Sequence, residues 1–158
     1  MMTFVSVGNA TQPFSRLIDA VLKLASNLPQ PVLVQRGNTI VPKAGCVVKP
    51  FLEIEAFRQF IEQAELLILH AGAGSIIHAI QAGKIPVVMP RLAKYGEHVD
   101  DHQVEFARAL VQLGRIVVAE EPANLIDAIA EAQKRQTKTL HTVCTPPLVG
   151  LIRAVLCE

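Results

Sequence analysis

The chain has 158 residues, of which 51% are hydrophobic and only 4% aromatic, with no tryptophan; this length and composition are typical of one domain with a parallel sheet and an aliphatic core. Its 15 basic and 14 acidic residues give a net charge of +1 without a basic block, which argues against nucleic acid as a partner. The three cysteines have no zinc-site spacing, and no apolar run reaches the ~18 residues of a membrane span, so we expect a cytoplasmic protein with a single domain over residues 1–158.

Hydrophobic periodicity predicts strands and helices that alternate along the chain. In chain order they are strand 3–7, helix 13–27, strands 31–35 and 46–48, helix 54–64, strand 66–69, helix 75–82, strand 86–89, helix 101–113, strand 115–119, helix 125–132 and a closing helix at 148–156. Gly83 is expected to end the third helix. Alternation of this kind implies right-handed crossovers. The predicted fold is therefore α/β, a Rossmann-like parallel sheet with helices on both faces.

The loop from His70 to Ser75, "HAGAGS", follows a buried strand and leads into a helix. Because ligands of open parallel sheets bind at the carboxyl ends of the strands, this loop is the first candidate site. Gly72 and Gly74 lack Cβ atoms that would keep a ligand from the backbone N–H groups, which favours an anion such as phosphate. The alternative is that both glycines only shape a tight turn, with His70 as a turn histidine. A P-loop is excluded because no lysine follows Gly74, and Ile77 stands where a dinucleotide fingerprint needs a third glycine.

A second polar loop, "PRLAKYGEHVDDHQ", follows the next predicted strand. Either Asp100 or Asp101 is expected to cap the helix that begins there. His98 and His102 have a metal-like spacing but lie across a loop–helix junction without a third ligand, so we expect no metal site.

Two further loops leave alternatives open. Gly8, Asn9 and Thr11 follow the first strand and either contact a phosphate or cap the first helix. Phe51, in "KPFLE", is either a core aromatic or a base-stacking residue.

Three segments together resemble the C-terminal, nucleotide-sugar-binding domain of glycosyltransferase family 28. They are "VSVGNATQPFSRLIDAV", "KPFLEIEAFRQFIEQAELLILHAGAGSIIHAIQAGKIPVVMPR" and "YGEHVDDHQVEFARAL", which cover most of residues 3–114. The resemblance is closest to the short, single-domain members, which are subunits of exopolysaccharide glucuronosyltransferases and of the dolichol-linked N-acetylglucosaminyltransferase.

The resemblance implies the C-terminal half of a GT-B glycosyltransferase, which holds the UDP part of a sugar donor without a metal. By this analogy residues 72–75 face the diphosphate, the backbone at 51–52 reads the uracil, and residues 101–103 lie near the donor sugar. The implied nucleotide-sugar-binding residues are Gly8, Phe51, Leu52, His70, Gly72, Gly74, Ser75, His78, Arg91, Asp101, His102 and Gln103.

His78 departs from the family pattern. Many relatives have a glutamate four residues after the second glycine, where it binds the ribose hydroxyls, and this chain has histidine at that position. An imidazole makes one hydrogen bond there and lacks the bidentate acceptance of a carboxylate. The substitution therefore alters donor affinity or nucleotide preference, unless His78 is a buried structural residue.

A GT-B enzyme also needs a second half, which binds the acceptor. In the short members that half is a separate, membrane-attached protein, so we expect a two-component enzyme that acts on a lipid-linked saccharide at the inner face of a membrane. The acceptor hydroxyl must lose its proton to a general base. His70 and His102 are candidates within this chain, but the partner is favoured and no catalytic residue is assigned.

Two other functions compete with this interpretation. One is a non-catalytic nucleotide-binding or scaffold module. The other is an NADP-binding domain, in which Arg91 would bind the 2′-phosphate. The donor sugar, the acceptor, the linkage and homo-oligomerisation stay open at the level of sequence.

Overall fold

The computed structural model describes residues 1–42 and 45–139. Within these ranges, six parallel strands form one sheet. The strands are β1 (Thr3–Ser6), β2 (Val32–Gln35), β3 (Val47–Lys49), β4 (Leu66–His70), β5 (Val87–Met89) and β6 (Val117–Val118). The helices are α1 (Ser15–Leu24), α2 (Ile54–Gln63), α3 (Ala73–Gln81), α4 (His102–Gln112) and α5 (Leu125–Thr139), with short 3₁₀ turns at Ala25–Asn27, Ala93–Tyr95 and Pro122–Asn124.

The strand order is β3-β2-β1-β4-β5-β6. The chain builds outward from β1 to β3 and then crosses to the other side of β1 as β4. The connections therefore diverge between β1 and β4, and this switch point is where open α/β sheets bind ligands. The structure confirms the predicted Rossmann-like parallel sheet.

The sheet is buried on both faces because successive strand side chains point in opposite directions. Val5 and Ile68 belong to the apolar cluster that includes α1 and α5. Phe4 and Leu67 belong to the opposite cluster with α2 and α3, where the rings of Phe4 and Phe57 meet edge to face at 5.4 Å. These two layers hold the carboxyl ends of the strands in fixed positions.

Helix α5 continues to Thr139, beyond its predicted end at residue 132. The predicted end was wrong because apolar periodicity stops there, while polar contacts support the extra turns. Gln136 accepts a hydrogen bond from the N–H of Ile85 at 2.8 Å and donates one to the carbonyl of Gly83 at 3.0 Å. Gly83 itself has φ +71° just beyond α3, as expected of a helix end.

Other boundaries differ by one to three residues. Helix α3 begins at Ala73 rather than at residue 75, and β6 has only two residues. The closing helix predicted at 148–156 lies outside the described residues. Over residues 1–42 and 45–139, none of the helices has both the length and the apolar character required to span a bilayer.

Candidate functional site

A cavity of about 260 Å³ opens at the carboxyl ends of β1, β2 and β4. It lies beside the switch point between β1 and β4, where the fold is expected to bind a ligand. The predicted site residues that line this cavity are Gly8, Leu52, Gly74, Ser75 and His78.

The N-terminus of α3 borders the cavity. The N–H of Ile76 donates to the carbonyl of Gly72 at 3.1 Å and so makes the first intrahelical bond. The N–H groups of Ala73, Gly74 and Ser75 precede it and have no acceptor within the helix. A Cβ built on Gly74 would meet no atom within 4 Å. Free N–H groups, the positive end of the helix dipole and open space together favour an anion.

Gly72 and Gly74 differ in what surrounds the position where a Cβ would be. A Cβ on Gly72 would overlap the imidazole of His70, and so would a Cβ on Gly8. The ring of His70 therefore lies between two glycines from different loops. Gly72 is needed to accommodate this ring, whereas only Gly74 has the open environment that was predicted for both glycines of the loop.

His70 is only 8% exposed. Burial, assisted by the positive charge of Arg91, lowers its pKa to about 3, so the ring stays neutral at physiological pH. Its Nδ1 lies 3.3 Å from Nε2 of Gln103, and its Nε2 lies 3.4 Å from Oγ of Ser75. A ring of such low basicity is unsuited to be the general base considered from the sequence.

A polar network lines the cavity and includes two residues, Ser6 and Gln35, that sequence reasoning missed. Ser6 donates to Oε1 of Gln35 at 2.9 Å, and Nε2 of Gln35 donates to Oδ1 of Asn9 at 3.1 Å. Ser6 also accepts the N–H of Gly8 at 3.2 Å. Ser6 and Gln35 are register partners at the ends of β1 and β2. A polar residue that closes an otherwise apolar strand was the sequence signal for both.

Helix α2 supplies an apolar wall that was not predicted, formed by Ile54 and Phe57 next to Leu52. His78 is half-buried and faces the same cavity, with its ring in edge contact with Phe57 at a centroid distance of 6.1 Å. Burial and the nearby charge of Arg58 lower the pKa of His78. His78 is thus open to a ligand in the cavity.

Arg91 is 1% exposed, and its guanidinium is bonded to backbone carbonyls. It donates to the carbonyls of Val7 at 2.6 Å, Gln12 at 2.9 Å and Glu97 at 2.9 Å, and it stacks on Phe14 at 4.8 Å. Burial lowers its pKa to about 10, which leaves it charged at neutral pH. Arg91 joins the loop after β1 to its own loop after β5, and it does not line the cavity as the prediction of a nucleotide contact required.

A second arginine fixes the loop between β5 and α4. Arg16 pairs with Glu97 at 2.9 Å, and their side chains are 12% and 5% exposed. Arg16 also donates to the carbonyls of Pro90 and Glu120 at 2.8 Å and lies 5.2 Å from the ring of Tyr95. Loss of either partner would leave a buried charge unpaired, so this pair holds the loop in one position.

The three predicted residues at the start of α4 have different environments. Asp101 accepts the N–H of Ala93 at 3.0 Å and is exposed. Gln103 is buried against His70. The side chain of His102 is 78% exposed and lies 2.9 Å from Asp100. Asp100 accepts the N–H of His102, the first residue of the helix, at 3.0 Å, which lowers the pKa of that carboxyl. Asp101 occupies the N-cap position but makes no side-chain capping bond.

His98 also contacts Asp100, at 3.0 Å. In the part of the chain that the structure describes, no group of three or more His, Cys, Asp or Glu side chains is arranged to hold a metal ion. Phe51 is 49% exposed and is not among the residues that line the cavity. Its predicted contact with uracil would have to come from its backbone.

A larger cavity, of about 670 Å³, lies between α4 and α5 beside β6. None of the predicted site residues lines it, and the open N-terminus of α3 is not part of it. We therefore assign the candidate site to the cavity at the switch point.

Fold and site define a Rossmann-like α/β domain in which the N-terminus of a helix opens onto a cavity at the switch point. Residues 2–143 match the glycosyltransferase family 28 C-terminal domain, and the chain belongs to this family.

Two relatives are similar to this chain in sequence, and one solved structure is similar in fold. The chain is 28% identical to the UDP-N-acetylglucosamine transferase subunit ALG13 of Yarrowia lipolytica, covering all of this chain and 84% of that protein. It is 31% identical to the UDP-N-acetylglucosamine--N-acetylmuramyl-(pentapeptide) pyrophosphoryl-undecaprenol N-acetylglucosamine transferase of Bdellovibrio bacteriovorus, over 54% of this chain and 24% of that enzyme. The glycotransferase of kitacinnamycin superposes with a TM-score of 0.65 at 19% identity, covering 99% of this chain and 39% of that one. This chain thus spans less than half the length of the latter two proteins.

Acidification should destabilise the fold through His70. The ring has a pKa of about 3 when folded and near 6.5 when unfolded, so between these values the unfolded state binds a proton that the native state does not. The contribution of neutral His70 to the free energy of unfolding is complete above about pH 6.5. It is lost as the pH falls towards 3, by up to about 1.4 kcal/mol per pH unit. Urea unfolding at pH 7, 6 and 5 measures this slope. His70→Gln should flatten it, and an unchanged slope in that variant would contradict the assignment.

Gly72→Ala and Gly74→Ala should affect stability differently. The added methyl group at residue 72 overlaps the ring of His70, which we expect to cost about 1–3 kcal/mol as an overpacked contact. At residue 74 it meets open space within a helix, so the free energy of unfolding should stay the same or rise by up to about 1 kcal/mol. Chemical denaturation of the two variants measures this, and equal losses would rule out the ring contact as the cause.

Proposed function

We propose that this chain binds a UDP-sugar in the cavity at the switch point and is the donor-binding subunit of a glycosyltransferase. The observation that carries the proposal is the N-terminus of α3, which opens onto this cavity with unbonded N–H groups and open space at Gly74. Membership of family 28 supports a sugar nucleotide as the anion.

In this proposal the diphosphate lies against the N-terminus of α3. The N–H groups of residues 73–75 and the hydroxyl of Ser75 donate to its oxygens. As the bond between the anomeric carbon and the UDP oxygen breaks, negative charge grows on the diphosphate, and these fixed donors stabilise it. The leaving group then needs no bound metal.

The nucleoside lies further along the same cavity. Leu52, Ile54 and Phe57 offer an apolar wall, against which a pyrimidine face packs. His78 borders the cavity in the place of the glutamate of many relatives and contributes one hydrogen bond to a ribose hydroxyl. The structure gives Arg91 no access to a 2′-phosphate, which removes the main support for an NADP-binding domain.

The names of the relatives favour UDP-N-acetylglucosamine as the donor. One relative is named a subunit, and the present chain spans 84% of it. Another is named for an acceptor on pyrophosphoryl-undecaprenol. We therefore propose that a membrane-associated partner binds a lipid-linked acceptor, supplies the general base and recruits this chain to the inner face of a membrane.

Gly74→Val should abolish nucleotide binding without unfolding the protein. The isopropyl group enters the open space that the diphosphate would occupy, so UDP affinity should fall at least about 100-fold. Calorimetry of the chain with UDP, UDP-N-acetylglucosamine, UDP-glucose, UDP-glucuronate and NADP measures this. EDTA should leave the affinity for UDP unchanged.

Ala130→Val is the matched control because it also adds a β-branched side chain to an exposed helical position. The control should bind UDP like the unmodified chain. If neither the unmodified chain nor the Ala130→Val control binds any of these nucleotides, even with the partner present, the chain is a scaffold module and the proposed function is wrong.

The purified chain alone should not transfer sugar to a lipid-linked acceptor, because the acceptor site and the base lie on the partner. Transfer of radiolabelled N-acetylglucosamine should appear when the membrane-attached partner is added and should be lost again with Gly74→Val. A normal turnover by the chain alone would contradict the two-component proposal.

A further inference from the structure

His70 connects two helices that border the candidate site. It is the last residue of β4, and its ring lies between Gly8 and Gly72. One ring nitrogen faces Gln103 of α4 at 3.3 Å, and the other faces Ser75 of α3 at 3.4 Å. Among these hydrogen-bonded side chains, the ring of His70 is the one that contacts both α3 and α4.

These contacts determine which ring nitrogen carries the proton. The N–H of Arg91 donates to Oε1 of Gln103 at 3.1 Å, so the amide of Gln103 turns its NH₂ group towards His70. An amide NH₂ only donates, which makes Nδ1 of His70 the acceptor. The ring is neutral because of its burial. Its single proton is therefore on Nε2, which donates to Oγ of Ser75.

This donation limits what the hydroxyl of Ser75 can do. Its oxygen accepts from His70, so its own proton points to another acceptor. Ser75 is the third residue of α3 and lines the cavity together with Gly74. A hydroxyl held in this way is a donor towards the cavity, on the same side as the free N–H groups of the helix.

We propose that His70 is a positioning residue that turns the hydroxyl of Ser75 into a hydrogen-bond donor to a diphosphate oxygen. This inference rests on the proposed binding of a UDP-sugar. It assigns His70 no contact with the nucleotide and no proton transfer in the reaction. It also accounts for the two glycines that enclose the ring, because movement of the ring would release the hydroxyl.

Two substitutions separate the two ring nitrogens. The amide of His70→Gln reaches the position of Nε2 and keeps a donor for Ser75. The amide of His70→Asn reaches only the position of Nδ1, so it keeps the contact with Gln103 and loses that with Ser75. Both variants reduce the packing volume, so the difference between them reports on the contact with Ser75.

Calorimetry with UDP and with uridine tests the proposal. His70→Asn should lower the affinity for UDP about tenfold, the size of one hydrogen bond to a charged group. His70→Gln should lower it less, and neither variant should change the affinity for uridine. In a Ser75→Ala background, His70→Asn should cause no further loss, since the hydroxyl that it positions is gone.

Three results would overturn the proposal. The first is an unchanged affinity for UDP in His70→Asn. The second is an equal loss of affinity for UDP and for uridine in His70→Asn, both with Ser75 present and in the Ser75→Ala background. The third result needs no variant. Nitrogen NMR of the unmodified chain should show the ring proton of His70 on Nε2, and a proton on Nδ1 would contradict the positioning role of His70 even if UDP binds. If the unmodified chain does not bind UDP at all, the proposed function is wrong as well. This outcome is distinguishable from one in which UDP binds but His70 does not position Ser75.

Discussion

The geometry of the site depends on the enclosure of one imidazole ring. His70 occupies the space between the loop after β1 and the loop after β4, and neither Gly8 nor Gly72 could carry a side chain while it is there. The ring also contacts the first turns of α3 and α4. Four elements are thus held together at the switch point, and the helix N-terminus that faces the cavity is fixed before any ligand arrives. Such preorganisation lets dipoles stabilise an anion without the cost of reorienting them.

The site is built mainly from neutral donors. None of the described residues that line the cavity is a lysine or an arginine. The nearby guanidinium groups of Arg16 and Arg91 are bonded to backbone carbonyls and to Glu97, so their role is to shape loops. Backbone N–H groups and a serine hydroxyl remain to bind an anion. Under the proposed function, this arrangement would stabilise the charge of a diphosphate by many weak contacts and not by one strong ion pair.

The sequence predicted the fold well because α/β alternation and buried apolar strands are local patterns. The end of α5 was missed because the side chain of Gln136 bonds to a distant loop, which no periodicity reports. At the site, an open environment was predicted for both Gly72 and Gly74, and only Gly74 has one. The difference arises from the direction of the His70 ring, which turns towards Gly72 and Gly8. Arg91 was interpreted as a ligand contact because two of the carbonyls that bind it belong to the loop after β1, which is distant in sequence.

The proposed functions of this chain all require that a nucleotide diphosphate binds at the N-terminus of α3. Titration of the isotopically labelled chain with UDP, followed by backbone amide NMR, tests it most directly. We expect the largest shifts at the amides of Ala73, Gly74 and Ser75, with smaller shifts at Gly8. Shifts confined to the groove between α4 and α5, with the amides of α3 unchanged, would contradict it.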